Sequence, residues 1–353
     1  MSTFKFVPFP GKPTKLALLL FGILLVQFLG YPGPVGAGGD EFIIKLATLA
    51  PEGSPWMDSF HTINDEVKGK TGGKVKFRAY PGGVLGEDRD MLRKIRIGQI
   101  HGGGFTGTGL SLINEDIAVM AIPFLFENYG EVNFVLDKMG DRFRTGFEEE
   151  GYVLLGWSEI GFVYLLSNVP IGSVEEFRGA KVWALEGDPV ATPVLGKAGV
   201  TPIPLGIPDI LMALQTNLVD VVYASPLAAI ALQWFTKVKY MTDLPLTYSI
   251  GGVLVSKRIF GKIPSDLQQI VKEVFQHHAS GLTTRTRRDN DEAVRVMVKR
   301  GIKLVTPTAE ETEKFKRISM EAVGELTGTV FPKDVLAEVR FHLKQYREAR
   351  KGK

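Results

Sequence analysis

Apolar and polar positions after residue 40 follow a strand pattern, then a helix pattern, then a strand pattern again. The run EFIIKLATLA, residues 41–50, is mostly apolar and predicts a buried strand. Ser54 is a suitable N-cap, and Pro55 suits the first position of a following helix. The apolar residues of this helix recur at helical spacing: Trp56, Phe60, Ile63 and Val67. Residues 74–81, KVKFRAYP, alternate like a strand with one buried face, so the order β-α-β predicts a parallel pair.

The alternation of strand and helix patterns continues towards the C-terminus and predicts an α/β fold. Helices are predicted over residues 86–99, in the first part of 207–224, and over 264–301 as one long helix or two in line. Strands are predicted at the end of 207–224 and at 151–159, 180–185, 251–257 and 301–307. Thr308 and Glu311 have the spacing of a capping box for a further helix.

The N-terminal 37 residues have the three-part pattern of an export signal peptide. Three lysines precede the apolar run 16–30, which has the length of a signal-peptide core and is short for a membrane span. The small-residue sequence VGA predicts cleavage after Ala37, so the mature chain is expected to begin near Gly38 and to be soluble in the periplasm. An N-terminal anchor that is not cleaved is the alternative.

Charge and cysteine content exclude several functional classes. The chain has 42 Lys and Arg residues against 39 Asp and Glu, and the three lysines within residues 1–37 account for the excess. The balanced mature chain gives no support for nucleic-acid binding, which requires a concentrated basic face. The absence of cysteine excludes disulfides, thiolate metal sites, a cysteine nucleophile and a lipid-modified N-terminal cysteine.

The segment HGGGFTGTGLSLI, residues 101–113, has five glycines and contains the spacing G-x-G-x-x-G. A dinucleotide-binding loop follows a strand and begins a helix, whereas a predicted helix precedes these glycines and no basic residue lies among them. A nucleotide-dependent enzyme is therefore a remote alternative. Glycine also allows a ligand or a neighbouring segment to approach the backbone closely, and that use stays open.

Other catalytic signals are weaker still. The chain has no G-x-S-x-G nucleophile motif, and its five histidines lack the H-x-x-x-H spacing of a zinc site. We expect a protein that is not an enzyme, with no catalytic residues, no cofactor and no bound metal.

Five stretches resemble the signature of the substrate-binding subunits of TRAP transporters, the C4-dicarboxylate-binding type. They are TGGKVKFRAYPGGVLGEDRDMLRKIRIGQI at residues 71–100, AIPFLFEN at 121–128, EFRGAKVW at 176–183, ALQTNLVDVVYASPLAAI at 213–230 and KIPSDLQQIVKE at 262–273. Their order and spacing match the family from about Phe42 to Gly324. One such stretch would be weak evidence, whereas five in order are strong.

The resemblance implies a two-lobed α/β solute-binding protein with mixed sheets, hinge strands and a long helix that spans the lobes. The ligand would lie in the cleft, and the closed form would dock on membrane permease subunits. On this basis lobe I comprises residues 38–162 and 250–288, lobe II comprises residues 163–249 and 289–325, and residues 326–353 form a C-terminal helical tail. The glycine segment falls where the family has a loop lining the cleft, so its bare backbone is expected to leave room for ligand.

The chain departs from the family pattern at the positions that hold a carboxylate. Trp183 stands where the family has its carboxylate-clamping arginine, and Val163 stands where a second arginine often lies on the hinge strand. Tyr223 and Ser225 replace the glutamine and asparagine of the family's Q-E-N-P, and Leu49 occupies a position that is polar in the family. Tryptophan offers an apolar face and one N–H instead of a charged fork. A buried carboxylate without a partner would cost several kcal/mol.

The loss of these polar and charged residues predicts a neutral or largely hydrophobic ligand. The resulting pattern resembles that of a TRAP subgroup that works with a tetratricopeptide-repeat partner. Nine residues are expected to line the cleft: Leu49, Phe105, Thr106, Trp157, Phe162, Val163, Trp183, Tyr223 and Ser225. Trp56 maps nearby, but its helix face favours burial in a lobe core. The main alternative is an organic acid held by a displaced cation, for which Arg78, Arg89 and Lys181 are available.

Overall fold

The computed structural model describes residues 41–351, which contain ten β-strands and twelve α-helices. The strands are β1 (Phe42–Thr48), β2 (Val75–Tyr80), β3 (Gly102–Thr106), β4 (Tyr152–Ser167), β5 (Trp183–Leu185), β6 (Ile203–Leu205), β7 (Val221–Ala224), β8 (Tyr240–Thr242), β9 (Thr247–Ser256) and β10 (Lys303–Val305). The helices are α1 (Pro55–Lys70), α2 (Asp88–Arg96), α3 (Gly107–Ser111), α4 (Tyr129–Glu149), α5 (Val174–Arg178), α6 (Ala191–Lys197), α7 (Ile210–Gln215), α8 (Pro226–Ala231), α9 (Lys257–Phe260), α10 (Ser265–Lys299), α11 (Ala309–Leu326) and α12 (Lys333–Lys351). The predicted export signal lies outside the described residues. Within residues 41–351, no helix is both long enough and apolar enough to cross a membrane.

Two helix starts follow from their capping residues. The Ser54 side chain accepts the Met57 N–H at 3.4 Å, and Pro55 occupies the first turn of α1. The Thr308 side chain accepts the Glu311 N–H at 3.2 Å at the start of α11. The predicted β-α-β unit is present, because β1 and β2 flank α1 and pair in parallel.

The strand β4 runs through both lobes. From Tyr152 to Val163 it pairs antiparallel with β9, which continues through β3 and β1 to β2 as the sheet of lobe I. Its last residues, Tyr164–Ser167, pair with β7 and β8, and β10 joins β8 in parallel. The pair β5 and β6 completes lobe II. The predicted two-lobed α/β fold with mixed sheets is confirmed. The residue limits of the lobes stay a prediction, although β4 changes partners between residues 163 and 164.

Helices cover the sheets and enclose separate apolar cores. On one face of the lobe I sheet, α1 and α10 bury residues such as Val67 and Phe275. On the other face, α4 contributes Phe143 to a second core. In lobe II, Leu214 of α7 and Met297 of α10 belong to a third core. This arrangement leaves the cleft between the lobes next to β4 and β9.

The helix α10 is one continuous helix of 35 residues and contacts both lobes. Near its middle, His278 Nε2 lies 2.6 Å from a carboxylate oxygen of Glu66 in α1. Three turns further on, the Asn290 side chain accepts the Leu227 N–H of α8 at 3.0 Å. The sequence pattern was compatible with one long helix or with two helices in line, and the structure has one.

At the crossing between the lobes, β4 carries a buried ion pair. A β-bulge follows Glu159, and Gly161 has φ of +107°, which favours glycine. The Glu159 carboxylate is 4% exposed and accepts two hydrogen bonds from Arg287 of α10, at 2.8 and 2.6 Å. It also accepts the Tyr248 hydroxyl at 3.0 Å, and the guanidinium lies 4.3 Å from the ring centroid of Tyr129. Because a buried charge needs a partner, this cluster ties β4 to β9 and α10.

The C-terminal helix α12 is docked on α4 and is not a free tail. Its apolar face is buried, with Val339 fully inaccessible to solvent. Arg347 donates to the Glu131 carboxylate at 2.8 and 2.9 Å. Arg142 of α4 donates to Asp334 at 2.7 Å. The limits 326–353 of the predicted helical tail stay a prediction, and within them the structure has α12 over Lys333–Lys351, packed on α4.

The glycine segment 101–113 forms the strand β3 and the short helix α3, instead of the loop that the resemblance implied. β3 lies between β1 and β9 inside the lobe I sheet. A side chain at Gly102 would collide with the Leu254 carbonyl oxygen of β9. Close pairing of the strands therefore explains the absence of a side chain at this position.

Candidate ligand-binding site

A cavity of about 360 Å³ lies between the lobes and extends into both. Lining residues follow β4 from Gly156 to Leu165 and β9 from Thr247 to Val253. The helices α1 and α10 close it on the lobe I side, and α5, α6 and α11 contribute on the lobe II side. The size is in the range typical of small-molecule sites.

Eight of the nine residues predicted to line the cleft lie on the wall of this cavity. They are Leu49, Phe105, Thr106, Trp157, Val163, Trp183, Tyr223 and Ser225. Phe162 does not: it packs against Tyr129 and Tyr248, with ring centroids 4.9 and 5.8 Å away. Successive side chains of a strand point to opposite faces, so Val163 faces the cavity and its neighbour Phe162 faces the core.

Several wall residues lie outside the sequence prediction. Trp56 lines the cavity, and its Nε1 donates to the Glu159 carbonyl oxygen at 3.1 Å, so its face of α1 is not simply lobe core. Others are Phe60, Phe124, Phe177, Phe275, Leu282 and Phe315. Helical periodicity marks such residues as inward-facing, but packed cores and cavity walls require the same apolar side chains.

Trp183 belongs to a cluster of three aromatic rings on the lobe II wall. It is 2% exposed, and its ring stacks on Tyr223 with centroids 4.6 Å apart and an interplanar angle of 26°. Trp234 meets it edge to face at 5.4 Å. The indole N–H donates to the Leu205 carbonyl oxygen at 2.9 Å. The only polar atom of this side chain is therefore used within the protein.

The hydroxyls of Tyr223 and Ser225 also support the wall. Tyr223 Oη accepts the Leu185 N–H at 3.0 Å, and burial raises its pKa well above the usual value, with a further contribution from the Asp188 carboxylate. Ser225 Oγ caps α8 by accepting the Ala228 N–H at 3.3 Å. A hydroxyl that accepts one bond still has its hydrogen to donate, so both groups suit a neutral oxygen on a ligand.

Charge on the cavity wall is confined to one acid and one histidine among the described residues. The Asp188 carboxylate accepts the N–H groups of Val190 and Ala191, both at 2.9 Å, and burial raises its pKa. His278 is paired with Glu66. No lysine or arginine within residues 41–351 lines the cavity.

The cations considered for a displaced clamp lie outside the cavity. Arg78 is exposed on β2, and Lys181 lies 3.5 Å from Asp220 on the surface of lobe II. Arg89 is exposed in α2 and faces the lobe II loop at the mouth of the cleft. Arg287 at the lobe crossing is neutralised by its buried carboxylate partner.

The two lobes touch at the mouth of the cleft. The Thr108 hydroxyl donates to Asp188 at 3.3 Å. Glu87 packs so closely on Gly206 that a methyl group there would lie 2.6 Å from the Glu87 Oε1 atom. Burial, with a contribution from the neighbouring Asp88 carboxylate, raises the pKa of Glu87 to about 7. These contacts close the cleft over the cavity.

Comparison with known proteins places these features in a family. The family model DctP, bacterial extracellular solute-binding protein, family 7, matches residues 46–327. A solute-binding protein of Verminephrobacter eiseniae is 28% identical over 236 residues, covering 66% of this chain and 69% of that protein. The sialic acid-binding periplasmic protein SiaP of Vibrio cholerae is 26% identical over 280 residues, covering 76% of this chain and 84% of that protein.

A solved structure has the same fold. The sugar acid binding protein DctPAm of Advenella mimigardefordensis, in complex with galactonate, gives a TM-score of 0.81 at 20% identity, covering 87% of this chain and 99% of that one. The resemblance found in the sequence is thus confirmed by the family match. The chain belongs to the DctP family of bacterial extracellular solute-binding proteins, family 7, the solute-binding proteins of TRAP transporters.

Proposed function

We propose that this protein captures a neutral, largely hydrophobic small molecule between its lobes and delivers it to the permease subunits of a TRAP-type transporter. The observation that carries the proposal is the cavity wall, which is aromatic and aliphatic and has no lysine or arginine among the described residues. Trp183 and Val163 occupy the positions at which the sequence resemblance predicts arginines. Trp183 belongs to an apolar core of lobe II, and Val163 is buried.

The energetics of the wall favour a neutral ligand over a carboxylate. An ionised group that leaves water without a partner loses several kcal/mol. A carboxylate in this cavity would find no lysine or arginine among residues 41–351, the one lining histidine is paired with Glu66, and Asp188 would add repulsion wherever it is ionised. Apolar surface, in contrast, gains roughly 25 cal/mol for each Å² removed from water. The same wall therefore disfavours binding of an organic acid and favours binding of a hydrophobic molecule.

An organic-acid ligand is the second candidate, because SiaP is named for sialic acid and the DctPAm structure contains galactonate. In this chain such a ligand would require a cation to move into the cavity. Arg89 at the mouth is available for that role. A change in the closure of the lobes would have to accompany the movement.

Binding and transport, rather than catalysis, is the proposed activity. The family is one of transport proteins. Of the glycines whose spacing suggested a nucleotide, Gly102 and Gly104 lie within β3 and Gly107 begins α3, so no loop separates the strand from the helix. We further propose a periplasmic location after removal of residues 1–37, in line with the periplasmic relative SiaP. A tetratricopeptide-repeat partner is proposed from the loss of the carboxylate-binding residues alone.

Calorimetry with two ligand panels tests the proposed function. One panel contains galactonate, sialic acid and dicarboxylates, and the other contains neutral primary alcohols and esters. We expect micromolar or tighter binding within the neutral panel and no measurable binding of the acids. An organic acid that binds at micromolar affinity, with no binding of any neutral compound, would contradict the proposal.

A further inference from the structure

The cavity is much longer than the cleft alone. Its lining residues on β4 extend from Gly156 to Leu165, nine residue steps that would span about 30 Å in a straight strand at roughly 3.3 Å per residue, and less here because of the bulge after Glu159. Residues of both lobes line this path, so the cavity is elongated along the strand. A compact ring system would occupy only part of it, whereas a single chain could follow the strand.

One end of the cavity enters lobe I between the sheet and the helices α1 and α10. We name this end the lobe I compartment, and its ceiling consists of Phe60, Ile63, Phe275 and Leu282. Its floor includes Gly156 of β4. A methyl group at Gly156 would lie 3.8 Å from the nearest atom, which belongs to Phe275, so this position accepts a methyl group in ordinary van der Waals contact. Apart from Ser59 and His278, which is paired with Glu66, the lining of this compartment is apolar, and it lies behind β4, away from the mouth of the cleft.

The opposite end enters lobe II beneath α11. Its walls come from Phe177 of α5, Leu195 of α6, and Phe315 and Ile318 of α11. These residues otherwise belong to, or pack on, one apolar core of that lobe. The cleft section with Trp183 therefore lies between two apolar extensions, one in each lobe.

We propose that the ligand is a long single-chain lipid with an uncharged polar group, such as a fatty alcohol, a fatty-acid ester or a linear isoprenoid, whose chain follows β4 into the lobe I compartment. The inference rests on the proposed function and adds the substrate class. It predicts that affinity depends on chain length. It also predicts that the lobe I compartment can be blocked without damage to the cleft.

A chain-length series of hexanol, decanol and hexadecanol, each delivered from cyclodextrin, tests the first prediction. Binding is followed by tryptophan fluorescence, because Trp56, Trp157, Trp183 and Trp234 all line the cavity. Each methylene that enters an apolar site raises affinity about fourfold, so decanol should bind on the order of 100-fold more tightly than hexanol. Equal affinities for hexanol and hexadecanol would overturn the inference.

Blocking variants test the second prediction. Ala279→Leu adds bulk to the compartment from α10, and Ser280→Leu places the same side chain on the exposed face of that helix as a matched control. Gly156→Val fills the floor from the strand. Ala279→Leu and Gly156→Val should each weaken hexadecanol binding by about tenfold, the equivalent of roughly two excluded methylenes. Hexanol binding should stay within about twofold of wild type, and Ser280→Leu should change neither.

The outcomes separate this inference from the proposed function. If Ala279→Leu weakens the binding of hexanol and hexadecanol equally, or of neither, the alkyl chain does not use the compartment and the inference is overturned. The proposal of a compact neutral ligand would still stand. If wild type binds galactonate and none of the alcohols, the proposed function itself fails. Thermal unfolding of each variant identifies any loss of folding. Ala279→Leu, placed on a helix, keeps the test valid if Gly156→Val does not fold.

Discussion

Replacing Trp183 distinguishes between two interpretations of the cavity, an apolar wall and a carboxylate-binding site. Its indole is buried in the lobe II core, stacked on Tyr223 and bonded to the Leu205 carbonyl. Trp183→Ala should therefore lower the free energy of unfolding by about 3–5 kcal/mol, the usual cost of deleting a buried aromatic side chain. A domain with a total stability of about 5–15 kcal/mol can tolerate this loss at low temperature.

Trp183→Ala is also expected to weaken ligand binding, independently of its effect on the free energy of unfolding. A well-buried aromatic anchor contributes about 2 kcal/mol or more, so Trp183→Ala should weaken decanol binding at least tenfold. Trp183→Phe keeps a ring on Tyr223 but removes the indole donor to the Leu205 carbonyl, which keeps the Glu186 N–H at 3.3 Å, so the loss in stability should be about 1 kcal/mol or less. Its decanol affinity should change much less than that of Trp183→Ala.

Trp183→Arg is the most informative variant of the series. It introduces a cation where the family resemblance places one, in an otherwise apolar wall that contains Asp188. The charge should abolish decanol binding because of its desolvation cost, and it should admit galactonate weakly. Isothermal calorimetry with thermal unfolding measures both effects. Unchanged decanol affinity in Trp183→Ala, or tight galactonate binding by wild type, would refute the reasoning.

Three further predictions concern the mouth, the lobe crossing and the N-terminus. The pKa of Glu87 is about 7 with the lobes in contact, against 4.5 in water, so closure takes up a proton. Affinity should be greatest below pH 4.5 and fall as the pH rises to about 7, and Glu87→Gln should reduce this dependence to the part contributed by Asp188 in a pH series of calorimetric titrations. Glu159→Gln leaves Arg287 partly buried without its charge partner and should cost about 3–5 kcal/mol in urea unfolding, whereas a loss below about 1 kcal/mol would contradict the assigned role. N-terminal sequencing of the exported protein should begin near Gly38, and retention of residues 16–30 would indicate an anchor instead.

Local patterns were sufficient to predict much of the fold. The N-cap Ser54, the β-α-β unit and the long helix follow from spacing and capping alone. The same patterns predicted only the first half of β4. The continuation to Ser167 is apolar because both lobes bury it, and such a run carries no mark of the point where the strand exchanges β9 for β7.

The candidate site could be predicted only where the family motifs gave positions. Trp183, Tyr223 and Ser225 were found because a motif aligned them, and they lie on the cavity wall. Phe162 was assigned to the cleft with its neighbour Val163, and strand alternation separates the two. The ends of the cavity are formed by residues far apart in sequence, such as Phe60 and Phe315, which only the packing of distant helices brings to one space.

The most direct test of an apolar site whose described wall has no lysine or arginine is to identify the molecule that the protein carries. Protein purified from the cells that produce it would be examined by native mass spectrometry, followed by denaturation and extraction of any released molecule. The predicted result is a single bound molecule that is neutral, extracts into organic solvent and contains a long aliphatic chain. A stoichiometric, water-soluble organic acid would contradict the account.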